Sequence, residues 1–221
     1  MTAELLTVSL YWSFRSPYSY VVLPRVIALQ HRFLVEIDLR IVHPAAIRNP
    51  AYFARMDALA RPYFLRDSAR VAAFHGLPFR RPVPDPITQD PVSLEIAAEQ
   101  PLARQLGYLG IAAVEQGRGL AFAADVSTLL WDGRVTGWDQ GEHLCAAAAR
   151  AGLRLQDLIQ AINGREADYE ARLAANGEAL RAAGHWGVPT FVFEDEPFFG
   201  QDRFDLLMWR LRQRGLQARA G

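Results

Sequence analysis

The spacing of hydrophobic and polar residues changes twice within the first 42 residues, from a strand pattern to a helical one and back. Residues 6–14, LTVSLYWSF, are rich in β-branched and aromatic side chains and predict a strand, whereas residues 17–32 carry apolar side chains at helical spacing. Residues 34–42, LVEIDLRIV, alternate apolar and charged side chains and predict a second strand. A strand, helix and strand joined by short connections favour two parallel strands with a right-handed crossover.

Helical periodicity dominates the next part of the chain, from about residue 50 to residue 183. One passage interrupts it: residues 77–91, LPFRRPVPDPITQDP, contain five prolines, which exclude regular structure and stiffen the connection. The segments with helical periodicity are 51–76, 91–117, 120–133, 141–153 and 165–184.

The C-terminal part returns to strand patterns. TFVF and PFFG, separated by EDE, predict a hairpin, and QDRFDLLMWRLRQRG predicts a terminal helix. The order of elements predicts an α/β fold, a thioredoxin-like domain with a large all-helical insertion. We expect residues 5–45 and 184–216 to form the thioredoxin-like domain and residues 46–183 the insertion.

Composition narrows the classes of function. A chain of 221 residues with 51% hydrophobic residues can bury the core of one domain with an insertion. The 24 basic residues balance 24 acidic ones, so we expect no nucleic-acid partner, and without a long apolar run or basic leader we expect no membrane partner and a cytoplasmic location. All basic residues are arginine, which excludes lysine Schiff-base chemistry and a phosphate-loop lysine.

Cysteine and histidine patterns exclude further chemistry. Cys145 is the single cysteine, so neither an intramolecular disulfide nor a dithiol redox pair can form. Within its helical segment we expect Cys145 to be a small buried apolar residue. No metal site is predicted, because no metal-ligand spacing with cysteines or acids is found around four of the histidines, His31, His43, His75 and His143.

Ser16 stands immediately before Pro17, where the first predicted strand gives way to a helix. Serine followed by proline at the first helical position is a strong helix-start signal, so Ser16 is expected to be an N-cap. The same place collects free backbone N–H groups and the positive end of the helix dipole, which would stabilise a thiolate or carboxylate beside Ser16. The local sequence leaves both interpretations open.

Two C-terminal features suit a peptide-like ligand. Pro189 directly precedes a strand, and a cis bond there would expose the backbone of Val188 to an extended ligand, the alternative being an ordinary trans proline. Gln201 and Asp202 precede the last helix, where free N–H groups could meet a carboxylate and Asp202 an ammonium group. The alternative for Asp202 is a plain helix cap.

The segments SFRSPYSY, YFLRD and GVPTFVFEDEPFFGQDRFDLL together resemble the 2-hydroxychromene-2-carboxylate isomerase family, relatives of kappa-class glutathione transferases and of disulfide-forming thioredoxin-like (DsbA-like) proteins. The resemblance covers about residues 7–212. It implies glutathione as cofactor, a homodimer, and isomerisation of a small conjugated aromatic compound by reversible addition of the glutathione thiolate. It also implies that catalytic Ser16 approaches the sulfur, that Val188 and Pro189 hold the cysteinyl backbone, that Gln201 and Asp202 bind the γ-glutamyl end, and that Asn49 lies near the ligand.

Residues for the aromatic substrate follow from this expectation. An apolar wall between the two subdomains could be formed by Tyr18, Phe53, Tyr63, Phe64 and the proline-rich segment 77–91, the alternative being ordinary core packing, which is favoured for Phe64. Arg66 and Arg70, four residues apart, could hold a substrate carboxylate or form an ion-pair face with Asp67. His185 could contact substrate or shift the thiol pKa, or it could simply be solvated, and Trp186 is expected to pack.

Two other functions compete with the isomerase, and a third is excluded. A conjugating transferase would use the same cofactor and release a glutathione adduct. A thioredoxin-like binding or chaperone module would keep the peptide-binding edge without chemistry, although the presence of both Ser16 and the GQD segment favours glutathione. A dithiol–disulfide oxidoreductase is excluded because Cys145 has no second cysteine to pair with.

Overall fold

The structure is a computed structural model that describes residues 5–51, 55–90, 93 and 95–219. Its centre is a four-stranded sheet in the order β2-β1-β3-β4. β1 and β2 are parallel, as predicted, and both β1–β3 and β3–β4 are antiparallel. The strands are β1 (Leu6–Trp12), β2 (Val35–Ile41), β3 (Thr190–Phe193) and β4 (Glu196–Phe199).

The predicted hairpin forms between β3 and β4. Its two turn residues, Glu194 and Asp195, have φ angles of 49° and 65°, the left-handed conformation that two-residue hairpin turns require when their twist matches that of the strands. The turn therefore returns the chain directly to the sheet edge, and the last helix starts just beyond it.

Nine α-helices are assigned in the described part of the chain. Pro17 and Pro101 each start a helix at its first turn, where the missing N–H is not needed. The helices are α1 (Pro17–Arg32), α2 (Ala45–Arg48), α3 (Ala60–Phe74), α4 (Pro101–Glu115), α5 (Gly119–Trp131), α6 (His143–Arg150), α7 (Leu155–Ile162), α8 (Glu166–Ala182) and α9 (Phe204–Gln213), and a 3₁₀ turn (Gln201–Arg203) precedes the last.

The prediction of a continuous helix over residues 91–117 is wrong for its first part. Described residues before Pro101 are irregular, with Gln89 bridged to Ile96. The buried side chain of Gln100 explains this: it accepts from the N–H of Thr88 and donates to the carbonyls of Thr88 and Ala97, so it satisfies backbone groups of a loop.

Helix α3 is also shorter than predicted, because residues 55–59 form turns. The carboxylate of Asp57 accepts the N–H of Leu59 at 2.8 Å, a local bond that competes with helix, and α3 starts one residue later. The sequence pattern predicts no helix over residues 155–162, where α7 forms.

One hydrophobic core joins the sheet to the helices. Val8, Leu10 and Trp12 of β1 lie in the same buried cluster as Phe122 of α5 and Leu106 of α4. Both predicted domains therefore contribute to a shared core, and the division at residues 45/46 and 183/184 stays a prediction.

The segment between β1 and α1 is held by this core. The indole N–H of Trp131 donates to the carbonyl of Phe14 at 2.8 Å in the interior. A Cβ at Gly110 of α4 would lie 2.8 Å from the Phe14 ring, so glycine lets α4 approach. The residues that lead into α1 are thus fixed from both sides.

No helix in the described ranges is long and apolar enough to cross a membrane.

Candidate functional site

Ser16 is the N-cap of α1, as predicted. Its Oγ accepts the N–H of Ser19 at 3.2 Å, and its backbone is extended, with φ −92° and ψ 116°. The hydroxyl makes a second bond that a cap does not need: it donates to the carbonyl of Val188, 172 residues away, at 3.2 Å. The first turn of α1 and the turn before β3 therefore meet at Ser16.

The Val188–Pro189 peptide bond is cis. The turn is tied down on its far side, because the Pro189 carbonyl accepts the N–H of Gly200 at 2.9 Å and the Thr190 hydroxyl donates to the carbonyl of Gly187 at 2.8 Å. Among the described residues the N–H of Val188 has no hydrogen-bond partner. The turn can therefore offer one donor to a ligand.

His185 packs on the same turn. Its ring stacks on Phe199 with 3.9 Å between centroids, and its Nδ1 accepts the N–H of Gly187 at 2.9 Å. Burial lowers the pKa of His185, and a neutral ring leaves Nδ1 free to accept that bond. Trp186 stacks against His185, consistent with packing. His185 is thus part of the turn's support, and its predicted contact with substrate stays a prediction.

Arg48 connects the turn to α2 and was missed in the sequence analysis. Its Nε donates to the carbonyl of His43 at 2.7 Å and its Nη1 to the carbonyl of Trp186 at 2.9 Å. Burial, with the nearby charge of Arg181, lowers its pKa to about 10. The predicted ligand residue Asn49 directly follows as the C-cap of α2, so Arg48 fixes Asn49 relative to the turn.

The GQD segment lies on the other side of Pro189. Gly200 has φ 100°, and a Cβ there would lie 2.5 Å from Oδ1 of Asp202, so only glycine suits this bend. Asp202 pairs with Arg203 at 2.8 Å and makes no helix-capping bond, so the capping alternative is wrong.

Arg25 of α1 binds this segment. It donates to the carbonyl of Gln201 at 3.3 Å and forms an ion pair with Asp205 of α9. The helix that begins at Ser16 is thereby fastened to the residues expected to hold the γ-glutamyl group.

Tyr18 faces α3. Its hydroxyl donates to Asp67 at 2.6 Å and its ring meets that of Phe64 edge-on at 5.3 Å. Burial, followed by the bond to Asp67, raises the pKa of Tyr18. Phe64 is 37% exposed, so the expectation that it fills the core is wrong: its ring lies over Tyr18 at the surface.

The other predicted substrate residues of α3 are exposed. Tyr63 is 60% exposed, and Arg66 forms no ion pair with any residue in the described ranges. Arg70 pairs with Asp67 at 3.4 Å, which is the ion-pair alternative. Phe53 lies outside the described residues.

A basic cluster beside Ser16 was also missed. Arg15 binds Asp85 through two bonds of 3.0 and 2.9 Å, and Arg81 binds the same carboxylate at 2.9 Å. Burial raises the pKa of Asp85, but the arginine bonds outweigh it and hold the pKa below its usual range. Burial and the charges of Arg81 and Arg15 lower the pKa of nearby Arg61. One carboxylate thus binds two guanidinium groups with a third nearby, so positive charge is in excess and the cluster attracts anions.

Cys145 is exposed on α6, so the expectation of a buried apolar residue is wrong. The buried face of α6 is formed by Leu144, Ala147 and Ala148, which turns Cys145 to the surface. A hydrogen bond to Glu142 raises the pKa of its thiol, which disfavours a reactive thiolate. No set of metal-ligating side chains occurs in the described part of the chain.

Comparison with solved structures supports the fold. A 2-hydroxychromene-2-carboxylate isomerase matches with a TM-score of 0.71 at 19% identity, over 95% of this chain and 97% of the isomerase. A probable DsbA oxidoreductase from Streptomyces coelicolor matches with a TM-score of 0.65 at 19% identity, over 94% and 89%. The cytosolic disulfide reductase DsbM from Pseudomonas aeruginosa matches with a TM-score of 0.60 at 18% identity, over 94% and 100%, and a structure of it with GSH also matches, with a TM-score of 0.58 at 17% identity, over the same shares.

Identities this low establish a shared fold and leave the reaction to be argued from this chain's own residues. No curated protein sequence matches. The sequence model of the DSBA-like thioredoxin domain matches residues 7–212, which is nearly the whole chain. The predicted thioredoxin-like fold with helical insertion is confirmed, and the chain belongs to the DSBA-like thioredoxin domain family.

Proposed function

We propose that this chain is a glutathione-dependent isomerase of the 2-hydroxychromene-2-carboxylate isomerase type, acting on a small conjugated aromatic compound. The observation that carries the proposal is the contact between the Ser16 hydroxyl and the Val188 carbonyl at 3.2 Å. It brings together, in one place, the start of α1 and the proline turn, the two segments expected to hold the cofactor's sulfur and its cysteinyl backbone.

Because residue 16 is a serine, the sulfur nucleophile must come from a bound thiol. Ser16 cannot form a mixed disulfide, and the single cysteine, Cys145, is exposed on α6 with a raised thiol pKa. The hydroxyl and the N-terminus of α1 can stabilise a bound thiolate, which lowers the pKa of that thiol. A soluble thiol cofactor therefore supplies the nucleophile.

The backbone around Pro189 suits a short peptide. The unpaired N–H and the carbonyl of Val188 can pair with the cysteinyl unit of glutathione as a strand pairs with a sheet edge. Asp202 carries a negative charge for the α-ammonium group of the γ-glutamyl end, and Gln201 and Asn49 supply further polar contacts. The match with the reductase structure that contains GSH supports this choice of cofactor.

The basic cluster suits the reaction. Addition of a thiolate to a conjugated system forms one C–S bond and moves an electron pair onto the substrate's carbonyl oxygen, so the former double bond can rotate before the sulfur leaves. Arg15 and Arg81 share one carboxylate, and Arg61 lies near both of them, so the cluster can stabilise a substrate carboxylate and the charge on that oxygen. No atom is gained or lost, as an isomerisation requires.

Calorimetric titration with reduced glutathione tests the cofactor. We expect saturable binding to the wild type, about tenfold weaker binding to Asp202→Asn because one charged contact is lost, and unchanged binding to Asp195→Asn, which removes an exposed acid from the hairpin turn. The ultraviolet absorbance of bound thiolate should fall in Ser16→Ala. Absence of binding at millimolar glutathione would contradict the proposal, and release of a stable glutathione adduct would show a transferase instead.

A further inference from the structure

The single proton of the Ser16 hydroxyl is already used in a hydrogen bond. Its oxygen accepts the N–H of Ser19, and its O–H donates to the carbonyl of Val188, each at 3.2 Å. Both distances are at the long end for hydrogen bonds, so neither bond is strong. A serine hydroxyl offers one donor only, so Ser16 cannot also donate to a ligand sulfur without leaving Val188.

Little movement is needed to turn the Ser16 proton from the Val188 carbonyl to a ligand sulfur. The bond from the Ser19 N–H holds the Ser16 oxygen in place, so rotation about Cβ–Oγ moves only the hydrogen. The acceptor is fixed too, because the turn is held by Arg48 through Trp186 and by the packing of His185 on Phe199.

Because the turn is half-buried, the Ser16 proton can leave the Val188 carbonyl only if the ligand gives that carbonyl another donor. When the proton leaves, the Val188 carbonyl loses its bond, and a partly buried acceptor without a donor is unfavourable. A ligand that brings an N–H to this carbonyl restores the bond. A simple thiol brings none, so the hydroxyl stays on Val188.

We propose that Ser16 switches its proton from the Val188 carbonyl to the ligand sulfur only when the ligand donates a backbone N–H to that carbonyl, which makes the site selective for N-acylated cysteine thiols. The inference rests on the proposed function, since glutathione is such a thiol. Backbone recognition and thiolate stabilisation are then one coupled event: proton and acceptors are exchanged, and no covalent bond changes.

The test compares glutathione with γ-glutamyl-2-aminobutyryl-glycine, in which a methyl group replaces the thiol. In Ser16→Ala we expect glutathione to bind about three- to tenfold more weakly, because the sulfur loses its donor. We expect the methyl analogue to bind as tightly as to wild type or several-fold more tightly, because the Val188 carbonyl no longer exchanges one bond for another. Calorimetry on the full chain measures both.

Ser16→Thr is the matched variant, because threonine keeps a hydroxyl and a helix cap. We expect it to retain the wild-type preference for glutathione over the methyl analogue. If Ser16→Ala acts only by weakening the cap of α1, both ligands should lose the same factor, and that result overturns the exchange while leaving the cofactor proposal intact. If wild type binds no glutathione, the proposed function itself fails.

A second ligand tests the role of the N–H. An ester analogue of glutathione keeps the thiol and has oxygen in place of the cysteinyl N–H. We expect the thiolate absorbance of bound glutathione to titrate at a lower pH in wild type than in Ser16→Ala, and the absorbance of the bound ester analogue to titrate at the same pH in both. A Ser16-dependent difference of equal size for both ligands overturns the inference.

Discussion

Arg48 shows at the scale of one residue how binding segments are held together. Its guanidinium is largely buried and bonds two carbonyls, those of His43 and Trp186, and it forms no ion pair in the described ranges. A buried charge without a counter-ion is costly, so its two bonds must offset that cost. Its position suggests why it is tolerated: it aligns Asn49 with the turn before β3.

We predict that Arg48→Met weakens glutathione binding by about tenfold, because loss of a bond from a charged donor costs about 1.5–3 kcal/mol and frees the turn. Arg48→Lys keeps the charge but not the planar fork, and should lose nearly as much. The control is Arg181→Met, which removes the neighbouring charge without touching the turn and should leave the calorimetric Kd unchanged. Equal effects at both positions would point to charge alone.

At the scale of elements, the turn and β4 fit closely. A Cβ at Gly187 would lie 2.3 and 2.8 Å from two atoms of the Phe199 ring and 3.0 Å from the His185 ring. We predict that Gly187→Ala lowers the free energy of unfolding by about 1–3 kcal/mol, because the ring or the turn must shift. Urea unfolding measures this loss, and the glutathione Kd should rise in parallel.

The double variant Gly187→Ala/Phe199→Ala isolates the cause. Once the Phe199 ring is gone, of these close contacts only the one with the His185 ring at 3.0 Å remains for the new methyl group, so the double variant should lose less than the sum of the two single losses. Gly177→Ala in α8 is the comparison: its Cβ would meet a flexible side-chain carbon, Arg48 Cδ, at 3.3 Å, and alanine suits a helix, so it should lose less stability than Gly187→Ala. Strict additivity at positions 187 and 199 would contradict the steric explanation.

How well an element can be predicted from the sequence depends on how local its interactions are. Strands β1 and β2 and the cap at Ser16 follow from neighbouring residues, and all three are confirmed. Residues 95–100 were predicted as helix because their apolar spacing continues into α4, whereas the structure uses the Gln100 side chain to satisfy a loop 12 residues back. Such a bond is not visible in periodicity.

The candidate site shows the same limit over longer distances. Ser16, Val188 and Pro189 come together as the predicted fold requires. Arg15 and Asp85 are 70 residues apart, and the ion-pair partner of an arginine cannot be predicted from a sequence that offers 24 acidic residues. The prolines on either side of Asp85 and the double arginine at 80–81 were the only local signals of a fixed basic cluster.

At the scale of the whole molecule, one core joins both parts, so we expect a single unfolding transition. Its free energy should respond to the buried His43 and the partly buried His185. Burial lowers the pKa of His43, despite its bond to Glu170 at 2.9 Å and with Arg104 and Arg48 nearby, and burial also lowers the pKa of His185. In the unfolded chain each imidazole would titrate near 6.5, above its pKa in the folded protein. Between the folded and the unfolded pKa of each histidine the unfolded state binds more protons, so the free energy of unfolding rises with pH.

The loss of stability on acidification should therefore come in two stages. The first begins as the pH falls through about 6.5, where the unfolded histidines take up protons. The second begins below about 4.5, because Asp85 and Glu170 have lowered pKa values in the fold and their contribution disappears as they are protonated. Thermal unfolding between about pH 8 and about pH 2 resolves both.

His43→Gln/His185→Gln should flatten the first stage and also reduce the Glu170 part of the second, because His43, after Tyr108, helps to lower the pKa of Glu170. His31→Gln, at an exposed position, should leave the profile unchanged. An unchanged first stage in the double variant would assign it to other groups.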